Sequence, residues 1–248
     1  GLASNSQSRL NNFYFEKEYN CAILVSVNRK KYQYKEMKFV AFLDNFGETA
    51  VIDSSSFVLL DEKLADIRRQ VSDWVKKGYL LQLKKGVYVF SDTYRKVTPS
   101  HRFIANYLVV PSYLSLEYAL GYYDLIPEKV TVYSSLTTKK TQTFTNALGR
   151  FEYCSLKESL FFGFTKVSSN NQDSFIALPE KAILDFFYFR EHIQGAPGEF
   201  EAFRFQNLEI LKLKRFHEFS RVYPRRVRKA RRSFIDFVKK ETSAYVKI

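Results

Sequence analysis

Three histidines, two cysteines and a scatter of carboxylates are the side chains of this 248-residue chain that could hold a metal or drive covalent chemistry. His101, His192 and His217 lie in three separate segments, and neither they nor Cys21 and Cys154 share a metal-ligand spacing. No glycine-rich phosphate loop and no Gly-x-Ser-x-Gly elbow occurs. Asp173 with Glu180-Lys181 has the residue types of a metal-dependent nuclease. Glu180 directly after Pro179 is read more simply as an acid in the first turn of a helix, where the dipole favours it. The stretch Thr137-Thr138-Lys139-Lys140-Thr141-Gln142-Thr143 could bind phosphate or a partner, or could be an exposed hairpin whose lysines guard against aggregation. Tyr118, Tyr122, Tyr123 and the Phe186–Phe189 run could stack bases, although packing accounts for most aromatic stripes on apolar helices. The expectation is a protein without catalytic residues, metal or cofactor.

The cations carry a more definite pattern. In residues 61–77, Leu64, Ile67, Val71, Trp74 and Val75 recur at three- and four-residue steps, the period of one helix face. At about 100° per residue the opposite face holds Arg69, Ser72, Asp73 and Lys76, with Arg68 on its flank. Lys76, Lys77 and Gly78 form a helix stop. Beyond it the period falls to two through residues 79–83 and 87–90, joined by Lys84-Lys85-Gly86 as a tight hairpin. A helix followed at once by a basic hairpin matches the second half of a winged helix-turn-helix. Arg68, Arg69, Ser72 and Lys76 would then meet the major groove, Lys84 and Lys85 the phosphate backbone, and Lys77 would add to the DNA-binding set. The same pattern also occurs in domains whose lysines are merely solvated.

The surrounding elements fit a module of that size. Residues 36–45 read as a short amphipathic helix, and the Asp53-Ser54-Ser55-Ser56 cluster as the cap of a second helix through residues 57–60. Asp61 would cap the third. This gives a DNA-binding domain over 35–95 and a connector at 96–100. Residues 96–248 then form an α+β domain: helices over 102–110 and 114–123, with Ser112 or a neighbour capping the second, strands near 129–135, 149–156, 160–165 and 174–178, and an apolar helix opened by Pro179. Residues 216–222 and 225–240 read as two further helices. Residues 1–34 are an extension, read as a cloning remnant or upstream sequence with Met37 as the native start, or as an additional strand after a frayed tail.

The net charge of +13 and the pI near 9.5 favour a polyanionic partner. The excess is concentrated: residues 204–248 contain fourteen Lys/Arg against four Asp/Glu. There Val227, Ala230, Arg231, Phe234, Phe237 and Val238 share a helical face, leaving Arg225, Arg228, Lys229 and Arg232 off it for phosphate or partner contacts. No apolar run approaches the roughly 18 residues of a membrane span, and two cysteines build no disulfide framework. A cytoplasmic protein without a membrane partner is expected.

Several ordered segments, PSYLSLEYALGYYDLIPEKVTVYSSLTTKKTQTF, LGRFEYCSL, FFGF and ALPEKAILDFFYF, together with WVKKGYLLQLKKGVYVF, resemble the AbiEi antitoxins of bacterial abortive-infection operons. The resemblance covers residues 57–190. It implies an N-terminal winged helix that binds inverted repeats in the protein's own promoter and represses transcription. It also implies a second domain that counters a nucleotidyltransferase-like toxin without a stable complex, in a protein that is a monomer free and cooperative on DNA. The alternatives are a module that neutralises a partner protein by direct binding, and an RNA-binding accessory protein.

Overall fold

The computed structural model describes residues 38–60, 62–196 and 198–245. The extension over residues 1–34, Met37 and the cap assigned to Asp61 lie outside them. The protein is mixed α+β. Its first part runs α1 (Phe39–Phe46), β1 (Ile52–Asp53), a 3-10 turn (Ser54–Leu59), α2 (Leu64–Lys76), β2 (Leu80–Lys84) and β3 (Val87–Phe90). The three strands form one sheet in the order β1-β3-β2. Asp53 caps the 3-10 turn, its carboxylate accepting from Ser55 N at 2.8 Å. The second expected helix is therefore this tighter turn, and β1, only two residues long, gave no period to read.

Gly78 ends α2 with φ 73°, where a side chain would be strained. The inward face of α2 carries Ile67, Val71 and Trp74 as the spacing requires, with Leu64 and Val75 half-buried and Gln70 buried among them. Trp74 lies 4.8 Å from Phe42 and 5.4 Å from Phe39 between ring centroids, so α1 is fastened to α2 largely by aromatic contact.

The second part contains α3 (His101–Leu108), β4 (Ser112–Leu114), α4 (Leu116–Tyr122), β5 (Val132–Thr137), β6 (Gln142–Asn146), β7 (Gly149–Ser155), β8 (Phe164–Ser169), β9 (Gln172–Ala177), α5 (Pro179–Phe189), α6 (Leu213–Ser220) and α7 (Arg225–Tyr245). Its six strands are ordered β6-β7-β5-β4-β9-β8, with β5–β7 and β4–β9 parallel and the other pairs antiparallel. Ser112 is a residue of β4 rather than a helix cap, because Ser112–Leu114 pairs with residues 135–137 of β5. The strand expected at 160–165 starts later, at Phe164, after a 3-10 turn at Glu158–Leu160. Pro179 opens α5 at the first helical turn, as read from the sequence.

Buried carboxamides fasten α3 and the connector to the sheet. Asn106, fully buried, donates to Ser112 O and accepts from Phe175 N at 2.6 Å. Gln172 accepts from Ser100 N and donates to Thr98 O. The C-terminal helices close the core through Phe234, whose ring centroid lies 5.0 to 6.0 Å from those of Phe187, Phe200, Phe205 and Phe216.

The boundary at 95 does not divide the packing. Leu83, Val87 and Val89 of the β2–β3 hairpin are buried in the larger hydrophobic core with α3 and the six-stranded sheet, whereas Leu80 and Phe90 belong to the smaller core around Trp74. Asn146 of β6 also donates to Leu83 O at 3.2 Å. Among the described residues no helix is long and apolar enough to cross a membrane.

Candidate nucleic-acid interface

The exposed face of α2 is the product of its buried one. With Ile67, Val71 and Trp74 turned into the small core, Arg68, Arg69, Ser72 and Lys76 point outward, and all four are exposed. Arg69 lies 3.8 Å from Asp66 and Lys76 3.7 Å from Asp73, both pairs one turn apart on the surface. Such exposed pairs are worth little and leave the cations able to exchange partners. Lys77 caps the helix and is also exposed.

The hairpin tip divides its two lysines. Lys85 is exposed. Lys84 is turned back into the protein, and its ammonium donates to Leu108 O at the end of α3 at 2.5 Å. Burial holds the Lys84 pKa below its ordinary value, opposed by the nearby Asp53 carboxylate. The outward placement expected of Lys84 is therefore not met, because a half-buried ammonium already bonded to a carbonyl would have to give up that bond to reach outward.

Lys139 and Lys140 are exposed in the turn between β5 and β6. That turn is built on Thr137, which donates to Pro111 O at 2.6 Å and accepts from Lys139 N at 3.1 Å. Arg225, Arg228, Lys229 and Arg232 are exposed along α7, while Val227, Ala230, Phe234 and Val238 are buried beneath them. Arg231 shares the buried side. The cations thus form three groups, on α2 with the hairpin, on the β5–β6 turn and on α7, and no hydrogen bond or ion pair among the described residues links one group to another.

The residue types that suggested a nuclease are separated and occupied. Asp173 lies on the β8–β9 hairpin, bonded to Ser168 and to Lys166 at 3.1 Å. Those bonds, the Ser168 hydroxyl first, hold its pKa below the ordinary carboxylate value. Glu180 is fully buried and takes Arg215 in a two-pronged pair at 2.9 and 3.0 Å, with Lys212 N at 2.6 Å. Its partners are therefore side-chain and backbone donors from the start of α6 rather than a helix dipole alone. Lys181 is buried beside Asp185. The Asp185 carboxylate accepts from Lys181, from Tyr223 at 2.6 Å, from Ser115 at 2.8 Å and from Tyr113 at 3.0 Å. Burial foremost lowers the Lys181 pKa and raises those of Tyr113 and Tyr223. No member of this network reaches solvent, so it positions α5, β4 and the segment before α7.

The only sequence signal of the Lys181–Asp185 network is a charged pair four residues apart in a mostly apolar helix. Arg226, unremarked among its basic neighbours, donates to the carbonyls of Phe187, Tyr188, Arg190 and Ile193, satisfying the end of α5. Among the described residues no group of His, Cys, Asp or Glu is placed to hold a metal. His101 stacks on Tyr133 with centroids 5.4 Å apart, while His192 and His217 are exposed elsewhere. The Cys154 thiol is half-buried, and burial raises its pKa, away from a reactive thiolate. Compared with models of known protein families and with curated proteins, the chain matches none.

Proposed function

We propose that this protein is a non-catalytic DNA-binding repressor with the antitoxin role of the AbiEi proteins it resembles. In this reading α1, the 3-10 turn, α2 and the β2–β3 hairpin act as a winged helix-turn-helix. Arg68, Arg69, Ser72 and Lys76 of α2 read base edges in the major groove, Lys77 and Lys85 contact phosphates, and α7 adds charge along the duplex. The observation that supports it is the exposed cationic face of α2, backed by a largely apolar face that fixes its direction. The net charge of +13 supports the same class of partner. One such module reads one half-site, so inverted repeats in the protein's own promoter would be bound by two copies, monomeric when free and cooperative on DNA. The antitoxin function, directed against a nucleotidyltransferase-like toxin without a stable complex, rests on the resemblance alone.

A gel shift with the protein's own promoter tests the reading against its competitors. Promoter DNA should be shifted at concentrations where scrambled duplex and RNA of equal length are not. Equal competition by scrambled duplex would leave only charge attraction, and preference for the RNA would replace a DNA repressor with an RNA-binding accessory protein.

A further inference from the structure

A cavity of about 700 Å³ is lined by residues of both hydrophobic clusters. One wall belongs to the α1–β1 region and includes Phe46, whereas Phe103, Tyr107 and Phe175 of the opposite wall pack against the larger core. The connector residues Lys96 to Thr98 close a third side. This size lies within the range of small-molecule sites, and three half-buried aromatic rings on one wall offer flat apolar surface to a ligand.

The charges in the cavity restrict what could enter. Glu48, Asp53 and Asp173 face a single cation, Lys96, so the lining is acidic in a strongly basic protein. Lys96 lies 3.0 Å from Glu48 in an exposed pair. Asp53 is engaged by Ser55 N and by the Tyr107 hydroxyl. With three carboxylates against one ammonium, the lining is net negative and disfavours a phosphorylated ligand.

Uncharged hydrogen-bonding groups are available at the rim. Asn170 and Asn171 form the turn of the β8–β9 hairpin, both with left-handed backbone (φ 51° and 57°), and both are exposed. Among the described residues neither carboxamide has a side-chain hydrogen bond within the protein. A carboxamide offers a donor and an acceptor side by side, the pattern that pairs with the edge of a nucleobase.

We propose that this cavity binds an uncharged heteroaromatic ligand of nucleobase or nucleoside type. The ring lies against Phe103, Tyr107 and Phe175, the polar edge reaches Asn170 and Asn171, and the phosphorylated forms are excluded. Such a ligand touches both cores and therefore couples the placement of α1 and β1 to the six-stranded sheet. The inference stands on the cavity and does not depend on DNA binding.

The test uses the full chain with adenosine, guanosine, cytidine and uridine, each beside its 5′-monophosphate, by titration calorimetry and thermal unfolding. At least one nucleoside should bind with Kd below about 0.1 mM and raise Tm by roughly 4 °C at about ten times Kd. Its monophosphate should bind at least about tenfold more weakly. Asn170→Gly with Asn171→Gly, at exposed positions where glycine keeps the left-handed turn, should weaken the nucleoside by about tenfold or more. The proposal is overturned if no nucleoside binds below about 1 mM, if a monophosphate binds as tightly as its nucleoside, or if the double variant binds like the parent.

Discussion

Asp185 takes four hydrogen bonds in a site without solvent, which makes it the residue whose loss should be felt most. Removing it leaves a buried ammonium and three hydroxyls short of an acceptor. Asp185→Ala should therefore cost about 3–5 kcal/mol. Tyr113→Phe, which deletes one hydrogen bond to a charged group, should cost about 1.5–3 kcal/mol. Urea unfolding checks the order, and a Tyr113→Phe loss as large as that of Asp185→Ala would mean that the carboxylate is not the centre of the network. Lys84 supports a pH prediction. Burial first, against the raising effect of Asp53, holds its folded pKa below the ordinary 10.5. Between that lowered value and 10.5 the unfolded chain keeps a proton that the folded protein has released. The contribution of Lys84 to stability is thus smallest below the folded pKa and rises with pH across that window. The stability difference between the parent and Lys84→Met, read from urea midpoints, should rise with pH across the window, because Lys181 and the buried tyrosines titrate alike in both proteins. The cationic face of α2 was legible from spacing alone because a helix converts sequence period into direction. The inward turn of Lys84 was not, because its acceptor is the carbonyl of Leu108 in another element.

At the scale of elements, α2, the hairpin and α7 should respond differently when charge is removed. A base contact carries sequence preference, whereas a phosphate contact adds affinity to every sequence. Arg69→Ala should weaken promoter binding by about 1–3 kcal/mol and relax specificity, while Lys85→Ala should weaken promoter and scrambled duplex alike. Each phosphate contact adds about −0.9 to the slope of log K against log salt, so neutralising Arg225, Arg228, Lys229 and Arg232 should flatten that slope if α7 lies on the duplex. An unchanged slope, with antitoxin activity lost in cells, would assign α7 to the toxin pathway instead. The long helices are legible in the sequence, since α2 and α7 each bury a stripe wide enough to register as a period and α5 is a mostly apolar run opened by Pro179. β1, β4 and the 3-10 turns are not, because two or three residues show no period and their conformation is set by partners such as Val87, Tyr88 and residues 135–137 of β5.

For the whole molecule, the hairpin is the joint. Leu83, Val87 and Val89 lie in the large core while Leu80 and Phe90 of the same two strands lie in the small one. The two parts should therefore unfold together. Trp74, the one tryptophan of the chain, reports on the small core, and far-UV circular dichroism reports on all of the secondary structure. Their urea transitions should coincide in the parent. Leu83→Ala, which removes buried contacts at the joint, should cost about 2–5 kcal/mol and separate the two transitions. Transitions that are already separate in the parent would show that the joint does not couple the cores. The change in composition after the hairpin points to a division at residue 95. Shared burial across that boundary is invisible in sequence because both cores draw on the same alternating strands.

The dependence of α5 on Arg226 has a consequence for the order in which the protein is made. The carbonyls of Phe187, Tyr188, Arg190 and Ile193 accept from a residue more than thirty positions later, and Phe234, which sits among Phe187, Phe200, Phe205 and Phe216, follows later still. A nascent chain that has emerged as far as α6 displays an aromatic slot with no occupant and a helix end with no partner. Chains released at that stage would be sticky intermediates, and ribosomes that stall before α7 would supply substrates for chaperones and proteases rather than a working half-protein.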